Sequence, residues 1–232
     1  MNRAPDMTKP VFHESLDGRV GEPRGVHVWM CDLDATGDDW LDRGDLLSAG
    51  ELSLAGRLRL PAARRRFVRS HAIARHLLAG ILQKPTDGIA FGRNAFGKPF
   101  VQPSASAGAP GGAVLDFNFS HSENAYLFGV CFGGAVGVDV EIVCDDPDWL
   151  SVAESFFSPA EMAALRAALP SERQNLFFRY WTMKEASAKL AGRGVVADAS
   201  GGETETADGR RHFQTTLQIG RDRAAAAVVW TA

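Results

Sequence analysis

Five residues, Gly137-Val-Asp-Val-Glu141, constrain this chain more than any other stretch. Their alternation of β-branched and acidic side chains has the period of a half-buried strand. Residues two apart in a strand share a face, so Val138 and Val140 enter a core while Asp139 and Glu141 emerge together opposite. Two carboxylates so placed repel unless a cation or a basic side chain lies between them. Hard oxygen donors suit Mg²⁺, which takes a few carboxylates and completes its shell with water and phosphate. A solvated sheet face would explain the same five residues, so the segment needs support from elsewhere.

That support comes from Trp181-Thr-Met-Lys-Glu-Ala-Ser-Ala-Lys-Leu-Ala-Gly-Arg-Gly194. On a helix Glu185 and Lys189 lie one turn apart on the same face. As a surface ion pair they would contribute only about 0.3–0.5 kcal/mol. However, Leu176, Tyr180, Met183 and Leu190 line one side of this helix, and Phe178 and Trp181 another. A helix apolar on several sides is buried on much of its circumference, and charges within it need partners. A metal for Glu185 and a phosphate for Lys189 would supply them. Lys184 precedes Glu185 on the same helix. Glu161 stands three residues after Ser158, where a capping box explains it fully, and a catalytic role is the other reading.

The remaining pattern is mixed. Val26–Cys31 alternates as a strand, and Gly50–Leu82 is helical with a longer helix starting at Pro61. Leu52, Leu54, Leu58, Phe67, Ile73, Leu77, Leu78 and Leu82 are its core candidates. A short strand and turn fall in Gly88–Gly97, and Gln102–Gly112 is a loop of small residues. Three β-like runs follow at Leu115–Phe119, Ala125–Phe132 and Ala135–Val143. Helices then begin at Ser158 and near Ser171, the second running to about Leu190 with Gly192 as its stop. A turn around Gly202–Arg210 precedes two terminal strands, His212–Ile219 and Ala224–Thr231. The division predicted is a disordered leader over 1–24, one α+β half over 25–134 and another over 135–232 that carries the acidic site. No sequence repeat links the halves.

Composition sets limits. Of 232 residues, 45% are hydrophobic, enough for a sizeable core, and the formal net charge of −3 gives no global pull towards nucleic acid or an anionic membrane. No apolar run reaches the roughly 20 residues of a spanning helix, and the leader lacks a signal-peptide stretch. Cys31, Cys131 and Cys144 lack metal-ligand spacing and read as reduced thiols in a cytoplasmic protein.

Cations occur in local clusters. Arg64-Arg-Arg66, Arg69 and Arg75 share one predicted helix, where a solvated face is the other explanation. Lys98 and Pro99 sit in a Gly-Lys-Pro turn that can present both a lysine and backbone to a ligand. Asn118-Phe-Ser-His-Ser122 ends a strand with a polar cluster, so Ser120 and His121 can donate to a phosphate. A Ser/His nucleophilic pair fits poorly, because no Gly-x-Ser-x-Gly elbow surrounds Ser120.

The order of these motifs is their most specific property. Gly97-Lys-Pro, Asn118-Phe-Ser-His-Ser, Gly137-Val-Asp-Val-Glu, Phe156-Phe-Ser-x-x-Glu161 and Trp181-x-x-Lys-Glu-Ala-x-x-Lys-x-x-Gly-x-Gly194 together resemble the Sfp-type 4'-phosphopantetheinyl transferase family. The resemblance covers roughly residues 50 to 195. It implies two similar α+β halves in a pseudo-two-fold arrangement, with coenzyme A in the cleft between them, in a protein that acts as a monomer. By position it implies Asp139, Glu141 and Glu185 as ligands of Mg²⁺, for which Mn²⁺ can substitute. It places Lys98, Pro99, Ser120, His121, Asp139, Lys184 and Lys189 against coenzyme A, with Arg75 close to the nucleotide. Glu185, Lys189 and Glu161 are the catalytic candidates, and an apo acyl or peptidyl carrier protein is the implied partner. Where the family often has Lys or Arg before the helix phenylalanine, this chain has Leu60 and Ala63, with Arg64 or Arg59 as substitutes.

Two other functions are compatible with parts of the pattern. A different Mg²⁺-dependent phosphotransferase or pyrophosphohydrolase could use the same carboxylates, although no P-loop motif is present. A non-catalytic coenzyme A binding module would leave the acidic trio unexplained.

Overall fold

A computed structural model describes residues 12–15, 25–35, 42–102, 114–144, 149–192, 210–219 and 222–231. Nine strands form three antiparallel sheets among these residues. The first sheet has the order β1-β2-β6-β5, where β1 is Phe12–Ser15, β2 Gly25–Asp32, β5 Leu115–Ser122 and β6 Ala125–Phe132. A two-stranded ribbon joins β3 (Phe91–Arg93) to β4 (Pro99–Val101), and the last sheet has the order β7-β9-β8. Its strands are β7 (Val136–Ile142), β8 (Arg210–Ile219) and β9 (Asp222–Thr231). The helices are α1 (Ala49–Arg57), α2 (Pro61–Leu82), α3 (Trp149–Phe156), α4 (Pro159–Ala167) and α5 (Pro170–Leu190).

Side-chain alternation stacks these elements in four layers. Val26, Val28, Met30, Ala125, Leu127 and Cys131 leave one face of the first sheet and meet Val136, Val138, Val140, Ala224, Ala226, Val228 and Trp230 of the last. The intervening residues Cys31, Tyr126, Phe128 and Val130 point the other way and pack on Ile73, Ala74, Leu77 and Leu78 of α2. On the far side Ala227 and Val229 pack on Met183, Ala186 and Leu190 of α5, while Phe177 and Phe178 join α3 and α4. The period-two pattern thus decides which residues lie between the sheets and which lie under the helices. β6 and β9, buried on both faces, read as continuous apolar runs.

The fold is α+β, as expected. Two strand triplets share an order, β2-β6-β5 and β7-β9-β8, in which the last strand in the chain lies between the other two.

Several details depart from the pattern-based expectation. Within the 1–24 leader, Phe12–Ser15 pairs with β2, and the rest of that segment lies outside the described residues. The small-residue loop from 103 and the turn from 202 to 209 also lie outside them. Trp149–Phe156 forms a helix that the sequence did not announce. Leu52 and Leu54, expected in the core, are exposed, because α1 turns Glu51 and Ala55 inward instead.

Candidate active site

The site lies where the two sheets meet along one edge. β7 pairs with β9 on one side only. Its other edge is met by side chains of β5: Asp116 accepts from the Val136 N–H at 2.8 Å, Asn118 from Val138 at 3.0 Å and Ser122 from Ile142 at 3.2 Å. The alternation Asp116, Asn118, Ser120, Ser122 on β5 therefore caps an open strand edge that would otherwise carry unpaired donors.

Ser120, the third member of that row, reaches the acidic strand. Its hydroxyl donates to Asp139 Oδ1 at 2.8 Å. Lys189 of α5 donates to the same Oδ1 at 2.6 Å and to Ser120 Oγ at 2.9 Å. Three elements distant in sequence thus converge on one carboxylate. Gly137 makes the approach possible, since a Cβ there would overlap the Ala186 carbonyl oxygen and the Leu190 nitrogen of α5.

Asp139 is buried, and among the described residues its second oxygen, Oδ2, has no hydrogen-bond partner. A buried carboxylate oxygen without a donor is costly unless a cation supplies one. Glu141 and Glu185 share the local field. Burial first, then the charge of Asp139, pushes Glu141 up to about 7, with Ser122 and Lys189 opposing and Glu185 adding. Burial and Asp139 likewise raise Glu185, against the pull of Lys189. Two carboxylates whose proton affinity is raised by burial and by the charge of a third, Asp139, form a site that favours added positive charge. Among the described residues no three acidic, imidazole or thiol groups stand close enough to form a ready-made metal cage. The donor set and the unpartnered Oδ2 fit a hard divalent cation whose remaining ligands come from water and phosphate.

The other candidates divide. Lys98 lies at the same seam, donating to Asp116 Oδ2 at 2.6 Å and to the Val136 carbonyl at 3.0 Å. Pro99 follows it at the start of β4. His121 follows Ser120 on the opposite face of β5. Crowding around its ring, then Lys189 and Arg66, holds its pKa below the usual imidazole value. Arg66, which motif matching passed over in favour of Arg64, is the α2 arginine whose charge reaches His121; it also pairs with Asp34 and Glu123. Arg64 instead turns back to the Gly56 and Leu58 carbonyls at the α1–α2 elbow.

Arg75 is committed internally. It donates to Glu51 at 2.8 Å and to the Ile89 carbonyl, and its guanidinium lies 4.6 Å from the Phe91 ring centroid. It forms one wall of a cavity of about 670 Å³ that Phe119 and Pro99 also line. Glu161 caps α4 through Ser158 and forms an ion pair with Lys184 at 2.8 Å. Neither Glu161 nor Lys184 is joined by a hydrogen bond to the Asp139 group. Arg64, Arg65 and Arg66 are consecutive, and a 100° step per residue sends each to a different face.

A family profile described as the 4'-phosphopantetheinyl transferase superfamily matches residues 135–232. The chain is 36% identical to the 4'-phosphopantetheinyl transferase HetI of Nostoc sp. over 171 residues, which are 74% of this chain and 70% of that protein. It is 34% identical to the 4'-phosphopantetheinyl transferase AcpT of Salmonella typhimurium, over 66% of this chain and 72% of that one. Identity to the 4'-phosphopantetheinyl transferase psf-1 of Bacillus pumilus is also 34%, over 61% and 56% of the respective lengths. On this similarity, the chain belongs to the 4'-phosphopantetheinyl transferase superfamily.

Proposed function

We propose that this protein transfers the 4'-phosphopantetheine group of coenzyme A to a serine of an apo acyl or peptidyl carrier protein. Adenosine 3',5'-bisphosphate is the other product. The observation that carries the reading is the knot of Lys189, Ser120 and Asp139, with Asp139 Oδ2 buried and unpartnered. Family membership supports the same activity.

In this reading the serine oxygen of the carrier attacks the β-phosphorus of coenzyme A. The bond from that phosphorus to the bridging oxygen breaks, and adenosine 3',5'-bisphosphate leaves with the electron pair. Mg²⁺, or Mn²⁺ in its place, would be held by Asp139, Glu141 and Glu185 and would neutralise charge on the pyrophosphate. Lys189 uses two of its three N–H donors on Ser120 and Asp139, so one remains for the departing phosphate. Lys98 lines the same seam for the rest of coenzyme A, while His121 lies on the other face of β5 with Phe119, whose cavity with Pro99 offers room for one end of the ligand. Glu185 is the better placed base for the serine proton. Burial and Asp139 raise its pKa, while Glu161 is occupied by its cap and by Lys184.

The shared order of the two halves supports a pseudo-two-fold arrangement with the ligand between them, and hence a protein complete as a monomer. Among the described residues no helix is long and apolar enough to cross a membrane. A cytoplasmic site of action accords with the odd number and wide spacing of Cys31, Cys131 and Cys144.

Intact-mass measurement of several apo-carriers after incubation with coenzyme A and Mg²⁺ tests the proposal. The expected result is one phosphopantetheine added per carrier in the wild type and none with Asp139→Asn. Cleavage of coenzyme A without a carrier would mark a pyrophosphohydrolase instead, and binding without any mass gain would leave only a binding module.

A further inference from the structure

Lys98 and Lys189 are held in the same way from opposite sides of the seam. Asp139 of β7 takes the Lys189 ammonium and the Ser120 hydroxyl on one oxygen. Asp116 of β5 takes the Lys98 ammonium at 2.6 Å and the Val136 N–H at 2.8 Å, again on one oxygen. The Lys98 ammonium also donates to the Val136 carbonyl, so each lysine has two of its three donors fixed by protein. The Lys98–Asp116 pair is largely shielded from water, with side-chain exposures of 13% and 21%.

The Lys98 backbone is fixed as well. Asn94 Oδ1 accepts from the Lys98 and Phe96 N–H groups, and Gly97, at φ +88°, closes the turn between them. Asn94 Nδ2 in turn donates to the Gly192 carbonyl, just past the end of the helix that carries Lys189. One network therefore ties the β3–β4 turn, β5, the first residue of β7 and the end of α5.

From this geometry we propose that Asp116 is a positioning residue. It fixes Lys98 so that its remaining N–H faces an anionic ligand, and it anchors β7 at Val136, three residues before Asp139. Asp116 thereby does for Lys98 what Asp139 does for Lys189, and the two lysines form a two-point clamp for the phosphates of one ligand. The inference rests on the coenzyme A reading given above.

The test separates the lysine from the strand anchor. Asp116→Asn keeps a carbonyl oxygen for the Val136 N–H and removes the charge beside Lys98, whereas Asp116→Ala removes both. Both variants are expected to raise KM for coenzyme A about tenfold, and to weaken calorimetric coenzyme A binding equally, with kcat within twofold. Asp116→Ala alone should show a clear fall in melting temperature. In a Lys98→Ala background neither substitution should raise KM further by more than twofold. Effects of Asp116→Asn and Lys98→Ala that multiply, or an Asp116→Asn variant with wild-type KM, would overturn the proposal while leaving the transferase reading intact. A wild-type chain that binds no coenzyme A would overturn both.

Discussion

Gly137 shows how much a single residue decides. A glycine inside a strand normally weakens it. Here the missing side chain lets the α5 backbone lie against β7, and that contact brings Lys189 to Asp139. Gly137→Ala is expected to cost about 3 kcal/mol, because its methyl meets backbone atoms that cannot give way. Urea unfolding would measure the loss, and coenzyme A binding should fall with it. His71 carries a different kind of prediction. Its ring is buried in α2, with Nδ1 bonded to the Phe67 carbonyl, and desolvation leads in lowering its pKa. The unfolded chain therefore binds more protons than the folded one below about pH 6.5, so stability falls as pH drops through that region. His71→Gln should flatten the slope of melting temperature between pH 7 and pH 5, while leaving the pH 8 value changed only by packing.

At the scale of elements, α4 is held chiefly by its first turn. Ser158 and Glu161 satisfy each other's backbone donors, and Pro159 starts the helix. Ser158→Ala is expected to cost about 1 kcal/mol. Glu161→Ala should cost more, because it also removes the partner of Lys184, and thermal melts of the two variants would rank them. This element was legible because a capping box is local chemistry within four residues. The inward turn of α1 was not. Its two leucines are its bulkiest apolar residues, yet Glu51 is buried in their place, drawn in by the Ser48 N–H and by Arg75 from another helix. A carboxylate enters a core only where a donor awaits it, and that donor lay 24 residues away.

For the whole molecule the decisive feature is the seam, where side chains of one sheet serve as hydrogen-bond partners for the backbone of another. Asn118→Ala should leave the Val138 N–H buried without an acceptor and lower unfolding free energy by roughly 1–3 kcal/mol. Ser122→Ala should cost less, since the Ile142 donor it serves is only partly buried. Chemical denaturation of each would check the order.

The chain alone determined the period of most strands and of the longer helices, the shared face of Asp139 with Glu141 and of Glu185 with Lys189, and the cap of α4. These follow from spacing along a regular backbone, which needs no knowledge of distant residues. Only the tertiary structure decided that Lys189 meets Asp139, that Arg66 rather than Arg64 reaches His121, and that Asp116 holds Lys98. Each of those contacts joins segments far apart in the chain. Their geometry is set by how closely two sheets and a helix can approach, and that limit is fixed by packing at Gly137 and Gly129.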